Sequence, residues 1–158
     1  MSVEVIIEDT RWETVGLEDL AEKAVAAVFK HLALSEHEIS ILASNDARIA
    51  ELNGDFRDKP APTNVLSWPS AERAAEKEGM HPLPPKADLE LGDIALAFET
   101  CQREAAEQKK SFRQHILHLI VHGVLHLLGY DHVRDGDGDL MESVEIAILE
   151  GLGVPDPY

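Results

Sequence analysis

The chain has 158 residues, of which 44% are hydrophobic and 28% are charged, and its net charge at pH 7 is −16. These values predict one compact domain over residues 1–158, and a single cysteine, Cys101, excludes an internal disulfide framework. The acidic balance argues against a broad basic surface for nucleic acid, although a metal ion and a few cations in one cleft can reverse the local potential.

The sequence also predicts a soluble, cytoplasmic protein. The segment from Met1 to Arg11 has no basic stretch leading into an apolar one, which a secretory signal peptide would have. Apolar runs stay shorter than the roughly 18 residues that a membrane-spanning helix needs, so we expect no membrane partner.

The N-terminal half alternates between strand and helix patterns. A strand is predicted where Val3, Val5 and Ile7 alternate with Glu4 and Glu8, and a helix is predicted from Leu17 to Leu32, where apolar residues recur at helical spacing. A second strand is predicted from Glu38 to Leu42. Ser44 and Asn45 are then candidate capping residues for a short helix, whose apolar face carries Ile49, Leu52 and Phe56.

Two more strands are predicted in the middle of the chain, at Val65 to Trp68 and at Leu91 to Ala97. Between them, Pro69 to Leu89 mixes prolines with Glu, Lys and Ala, which bury little apolar surface. This composition predicts a mobile loop over residues 69–89, to which we assign no chemistry.

The C-terminal part is predicted to be helical. Beyond Phe98 the pattern turns helical through Arg103 to Lys109. Ser111 and Gln114 then form a capping-box signature for a new helix that runs to about Leu128. Apolar residues cover most of that helix, as is typical of a central core helix, and its one polar stripe consists of histidines.

A last helix is predicted from about Leu140 to Leu149, ended by Gly151 and Gly153. Its apolar residues Val144, Ala147 and Ile148 are expected to pack on the core.

Three histidines form a metal-ligand pattern at the end of the central helix. His122 and His126 lie four residues apart, so on a helix their Cβ atoms are about 5 to 6 Å apart on one face. An isolated pair at this spacing is also common among ordinary helix histidines. Here Gly129 can end the helix in a left-handed turn that returns His132 to the same place, and this makes the pattern specific.

Three neutral nitrogen ligands without a fourth protein ligand are typical of a catalytic zinc site rather than a closed structural one. The pattern therefore predicts one metal ion, with zinc favoured and nickel, copper or iron compatible with imidazole. His115 and His118 continue the stripe on the same helix. We expect them to be hydrogen-bonded supporting residues rather than ligands.

The spacing equals that of the metzincin proteases, H-E-x-x-H-x-x-G-x-x-H, except that Gly123 replaces their catalytic glutamate. Glycine cannot accept the proton that peptide hydrolysis requires, whereas phosphodiester cleavage needs a metal and cations that stabilise phosphoryl oxygens. The replacement favours a phosphodiesterase. A protease with another base remains an alternative, the candidates being Asp131, Glu142 and Glu145.

A candidate cation is Arg57, which stands where the short helix gives way to a turn. Its planar guanidinium can hold a phosphate with two hydrogen bonds. Spacing alone does not distinguish it from an ordinary surface arginine.

The segment from His122 to His132, with the sequence HGVLHLLGYDH, resembles the signature of the YbeY endoribonucleases, which are bacterial rRNA maturation factors. The resemblance extends over most of the chain, to the blocks Phe56-Arg57, Pro62 to Pro69, Leu91 to Ile94 and Met141 to Ser143.

This resemblance implies a single-domain α+β fold. Together with the patterns above, it predicts a small mixed four-stranded sheet packed with about five helices, of which the histidine-bearing helix is central. It implies zinc-dependent cleavage of single-stranded RNA, processing of the 3′ end of 16S rRNA and ribosome quality control. His122, His126 and His132 fall on the family's zinc ligands, and Arg57 falls on its functional arginine. The acidic charge suggests that RNA affinity depends on the small ribosomal subunit or an assembly protein.

A non-catalytic assembly factor, in which the metal only stabilises the fold, is a further alternative. The sequence leaves open whether hydroxide or a substrate 2′-hydroxyl attacks phosphorus, where cleavage occurs and whether the chain dimerises.

Overall fold

Four strands form one mixed sheet in the computed structural model, which describes residues 3–35, 37–57, 62–85 and 90–158 without the side chains of residues 55–57. The strands are β1 (Val3–Ile7), β2 (Glu38–Ser44), β3 (Val65–Pro69) and β4 (Glu90–Ala97). Their spatial order is β1-β2-β4-β3. β1 and β4 run parallel to β2, and β3 runs antiparallel to β4, with Ser67 opposite Ile94.

Six helices accompany the sheet in the described residues. They are α1 (Arg11–Thr14), α2 (Leu17–His31), α3 (Asp46–Arg57), α4 (Phe98–Glu107), α5 (Phe112–Leu127) and α6 (Asp135–Gly151). The expected mixed α+β fold is confirmed, and α1 is the helix that the sequence patterns missed. Within the described residues, no helix has both the length and the apolar character to cross a membrane.

Helix α5 is the central element of the core. It contacts α2, α4, α6, β3 and β4, and its side chains Ile116, Leu117, Ile120 and Leu125 are 0% exposed. Burying an aliphatic side chain of this size contributes about 1.5–3 kcal/mol each. The histidine-bearing helix is therefore held on several sides, so the residues that it carries have fixed positions.

Two helix starts follow the predicted capping chemistry. Asn45 Oδ1 accepts the backbone N–H of Arg48 at 2.9 Å, and Ser111 Oγ accepts that of Gln114 at 3.1 Å. These side chains satisfy amide groups that have no partner inside the helix. The predicted starts of α3 and α5 are confirmed.

Helix α6 begins five residues before its predicted start, Leu140. Its first turn lies in the glycine- and aspartate-rich segment from Asp135 to Asp139, whose composition resembles a loop. Tertiary contacts hold this turn in helical form: Glu78 Oε2 accepts the Gly136 N–H at 2.7 Å, and Asp137 Oδ1 accepts the Gly79 N–H at 2.8 Å. Acidic residues in a first turn also complement the helix dipole.

Candidate metal centre

His122 and His126 lie one turn apart on α5, and their Nε2 atoms are 3.0 Å apart. His132 follows the helix, and one ring nitrogen from each of the three side chains lies within 4.8 Å of the others. The structure thus brings together the three histidines that the spacing singled out. Nitrogen atoms this close can share a zinc ion, which binds imidazole nitrogen at about 2.0–2.1 Å.

A glycine turn returns His132 to the helix. The Gly129 N–H bonds to the His126 carbonyl at 3.0 Å and the Tyr130 N–H bonds to the Leu125 carbonyl at 3.0 Å, a pairing that closes helix ends. Gly129 has φ +103°, and a Cβ there would lie 2.5 Å from the carbonyl carbon of Arg73 and overlap its oxygen. The spacing predicts the left-handed turn, and the structure adds the close approach to Arg73; only glycine meets both.

Hydrogen bonds set which nitrogen of each helix histidine faces the centre. His122 Nδ1 lies 2.7 Å from Glu145 Oε1, and His126 Nδ1 lies 3.1 Å from the Tyr130 carbonyl oxygen. A carboxylate and a carbonyl only accept, so both Nδ1 atoms donate. In the neutral rings the two Nε2 lone pairs then face each other at 3.0 Å, which is repulsive unless a cation or proton lies between them. This donor set fits a metal ion.

The electrostatic surroundings keep His126 neutral and Glu145 ionised. Burial, helped by the neighbouring His122 and His132, lowers the pKa of His126 to about 4. Burial by itself raises the pKa of Glu145, but hydrogen bonds from His118, His122 and Tyr158 outweigh it and bring that pKa to about 2. At neutral pH a metal ion would meet an unprotonated His126, and the ionised Glu145 would support the neighbouring ligand, His122.

The remaining helix histidines have hydrogen-bonding partners, as expected of supporting residues. His118 Nε2 lies 3.3 Å from Glu145 Oε1, and His115 Nε2 lies 2.9 Å from Glu104 Oε1. These hydrogen bonds extend from His115 through Glu104 to Asn64, whose Nδ2 donates to Glu104 Oε1 at 2.9 Å.

The three histidines open onto a cleft of about 900 Å³. One wall comes from β3 and the residues before it, another from the turn after α5, and a third from residues 70–74. This third wall belongs to the segment predicted as a mobile loop without chemistry. Residues 70–85 contain no helix or strand, residues 86–89 lie outside the described residues, and the mobility of residues 69–89 stays a prediction.

Arg73 fixes that wall. Its Nη1 donates to the Leu127 carbonyl at 2.8 Å and the Leu91 carbonyl at 3.2 Å, and its Nη2 donates to Ser70 Oγ at 2.8 Å. Leu127 is the last residue of α5, so its carbonyl has no partner within the helix and sits at the negative end of the helix dipole. The guanidinium therefore ties the cleft wall to the helix that carries the histidines.

Comparison with known proteins identifies the family. The sequence profile described as Endoribonuclease YbeY matches residues 4–153. The chain is also 59% identical to the Endoribonuclease YbeY of Cereibacter sphaeroides, over 99% of this chain and 98% of that protein. This chain belongs to the endoribonuclease YbeY family. It is 51% identical to the Endoribonuclease YbeY of Ruegeria sp. strain TM1040, over 100% of this chain and 96% of that protein.

Membership in the YbeY family makes this chain a hydrolase, and the predicted resemblance is confirmed. In fold, the chain matches the solution structure of TM1509 from Thermotoga maritima with a TM-score of 0.59 at 22% identity, covering 96% of this chain and 91% of that one. That likeness concerns the fold alone.

The glycine that separates this YbeY member from the metzincin pattern has a packing role. A Cβ at Gly123 would lie 3.1 Å from Ile94 Cδ1 and 3.3 Å from Ser67 Oγ. The position faces the sheet at close range, so a glutamate would have to fit between the helix and strands β3 and β4. The sequence identified the absence of a base, and the structure adds the reason why a large side chain does not fit.

The candidate bases of the protease alternative lie on two sides of the histidines. Glu142 lines a second pocket, which it shares with Glu145, His122 and His132. Glu145 contacts the Nδ1 side of His122, away from the side where the three histidines meet, and Asp131 lines the cleft. Arg57, the predicted phosphate-binding residue, is the last residue of α3, and its side chain lies outside the described residues.

The sequence did not identify the supporting role of three residues that hold parts of the site in place by hydrogen bonds: Arg73, Glu145 and Tyr158. Tyr158 Oη donates to Glu145 Oε2 at 2.6 Å. Each acts through a contact with a residue distant in sequence, so local periodicity carries no signal for it. The one available hint was Glu145 itself, an acidic residue in a helix whose other inward positions are apolar.

Proposed function

We propose that this chain is a zinc-dependent endoribonuclease specific for single-stranded RNA, which acts in the cytoplasm on the 3′ end of 16S rRNA and in ribosome quality control. His122, His126 and His132 are the proposed metal ligands, and Arg57 is the proposed phosphate-binding residue. The observation that carries the proposal is the convergence of the three histidines, two of them with Nδ1 already engaged, in a wide cleft of a YbeY family member.

The donor set supports zinc because three imidazoles leave a coordination position open. Such an ion supplies Lewis acidity that polarises a phosphoryl oxygen. The chain's own contribution is orientation: Glu145 and the Tyr130 carbonyl hold the rings of His122 and His126 with Nε2 toward the cleft. The role proposed for Arg57 is to donate hydrogen bonds to the negatively charged phosphate oxygens.

The attacking group is either water or the 2′-hydroxyl of the substrate. Attack by the 2′-hydroxyl displaces the 5′-oxygen and leaves a 2′,3′-cyclic phosphate on one fragment and a 5′-hydroxyl on the other. Attack by water breaks one P–O bond and leaves a phosphate monoester on one fragment and a hydroxyl on the other. Mass spectrometry of the cleavage products separates the two routes.

RNA affinity is proposed to come partly from a partner. The net charge is −16, and the cleft is lined by Glu72 and Asp131 as well as by Arg73, which is held by backbone carbonyls. Nucleic-acid binding by charge alone requires cations that neutralise phosphates. The small ribosomal subunit or an assembly protein would therefore present the RNA strand to the cleft.

The experiment is an RNA cleavage assay with the parent chain, His126→Ala and Arg57→Ala, each with zinc and with a chelator. Cleavage should depend on zinc and fall in both variants, with zinc affinity reduced only in His126→Ala. Undiminished cleavage by both variants and by the chelated parent would overturn the proposal.

A further inference from the structure

Glu145 is a fully buried carboxylate beside the metal centre, with 0% of its surface exposed. It lies on α6, which packs against α5. Burying an unpartnered carboxylate is costly, by several kcal/mol even after the protein relaxes. An acidic side chain in this place therefore needs donors.

Three donors surround it. Oε1 lies 2.7 Å from His122 Nδ1 and 3.3 Å from His118 Nε2, and Oε2 accepts the hydroxyl of Tyr158 at 2.6 Å. The His118 ring is consistent with this arrangement: when Nε2 carries the hydrogen that it donates to Glu145, Nδ1 has none, and that buried atom has no hydrogen-bond partner among the described residues. Both carboxylate oxygens are thus occupied.

We propose that Glu145 is a positioning residue for His122, and that Tyr158 and His118 hold Glu145 in place, so that metal affinity depends on the side chain at position 158. This inference rests on the metal site of the proposed function. Free imidazole has no requirement to carry its proton on Nδ1, whereas a carboxylate acceptor on that side leaves the Nε2 lone pair for the metal.

His118, His122 and Glu145 also form a group whose ligand atoms lie within 4.8 Å of one another. The structure favours hydrogen bonds over a second ion there. The 2.7 Å contact has the length of a charge-assisted hydrogen bond, and the Tyr158 hydroxyl occupies the other oxygen. A positioning role predicts one zinc ion per chain, and two ions would overturn it.

Two substitutions test the role. Glu145→Gln keeps the shape but lets an amide N–H point at His122, which favours the proton on Nε2 and blocks coordination. We expect zinc affinity to fall about 10- to 100-fold. Tyr158→Phe removes only the hydroxyl and should weaken zinc binding about two- to tenfold, the effect of one hydrogen bond.

Glu150→Gln is the matched control, because Glu150 is an exposed residue of the same helix and the charge change is the same. Zinc affinity is measured by competition with a chromogenic chelator at pH 7.5, and the control should equal the parent. Denaturant unfolding of each zinc-free variant reports whether the fold is intact. Tyr158→Phe carries the test if Glu145→Gln does not fold.

A second readout follows the proton directly. ¹⁵N spectra of the histidine side chains in zinc-free protein at pH 8 should place the His122 proton on Nδ1 in the parent, with a shift toward Nε2 in Glu145→Gln. A purely structural role would leave this signature unchanged. Parent protein with the proton on Nε2, or folded variants that bind zinc as tightly as the parent, would overturn the inference. RNA cleavage is measured separately, so a parent that binds zinc without cutting RNA would refute the nuclease and leave the positioning role standing.

Discussion

Replacing Gly129 by alanine tests how the turn after α5 builds the metal centre. The residue has φ +103°, and an added Cβ would lie 2.5 Å from the carbonyl carbon of Arg73. A non-glycine residue in such a sparsely populated backbone region costs about 1–3 kcal/mol, and overpacking costs about another 1–3 kcal/mol. We therefore expect Gly129→Ala to lower the free energy of unfolding by about 2–6 kcal/mol.

Gly153→Ala separates the two costs. Gly153 also has a positive φ, +76°, but nothing lies within 4 Å of the Cβ that alanine would add. Gly153→Ala should therefore lower the free energy of unfolding by the backbone cost alone, about 1–3 kcal/mol. Urea unfolding of both variants, recorded in zinc-free protein, measures the difference.

Zinc affinity is the second readout. Gly129→Ala should displace His132 and weaken zinc binding by about 10-fold or more, as substitutions that misplace metal ligands do. Gly153→Ala should bind zinc like the parent. If the two variants were equally stable and bound zinc equally well, the close approach to Arg73 would have no part in shaping the site.

Other predictions concern charge, packing and catalysis. The pKa of His126 is about 4 in the folded chain and ordinarily 6.5, so between these pH values the unfolded chain binds more protons, and stability falls as pH falls. Urea unfolding of the zinc-free parent should show a loss of about 2 kcal/mol from pH 7 to 4.5, and His126→Gln should show a smaller loss. Glu145 contributes little to this window, because the stability that it provides is lost only as pH falls from its ordinary pKa of 4.5 to its folded pKa of about 2. Gly123→Glu should lower the free energy of unfolding by about 1–3 kcal/mol, because the added side chain would press on Ile94. The variant should also gain no peptidase activity, and a stable variant that cleaves peptides would contradict this. Arg57→Ala should reduce RNA cleavage about 100-fold with zinc affinity unchanged, and an unchanged rate would remove Arg57 from the reaction.

The parts of the fold that follow from local periodicity could be predicted from the sequence. The four strands, the helix that carries the histidines and the glycine turn all appear where apolar spacing and turn chemistry place them. The histidine group could be predicted for the same reason, because its members lie within one helix and the turn behind it.

Features that depend on distant contacts could not be predicted. Helix α1 is only four residues long, and it delivers Trp12 into the core, where its indole N–H bonds to the Ser44 carbonyl at 2.8 Å. The early start of α6 depends on Glu78, and the role of Glu145 depends on how α6 lies against α5. Spacing along the chain carries no information about these pairings.

The central claim is that three imidazoles share one metal ion, and a crystal structure of zinc-loaded protein with anomalous data at the zinc edge tests it most directly. The account predicts one anomalous peak per chain, about 2.0–2.1 Å from a nitrogen of His122, His126 and His132. Side chains that point apart under saturating zinc, or a peak elsewhere in the chain, would contradict it.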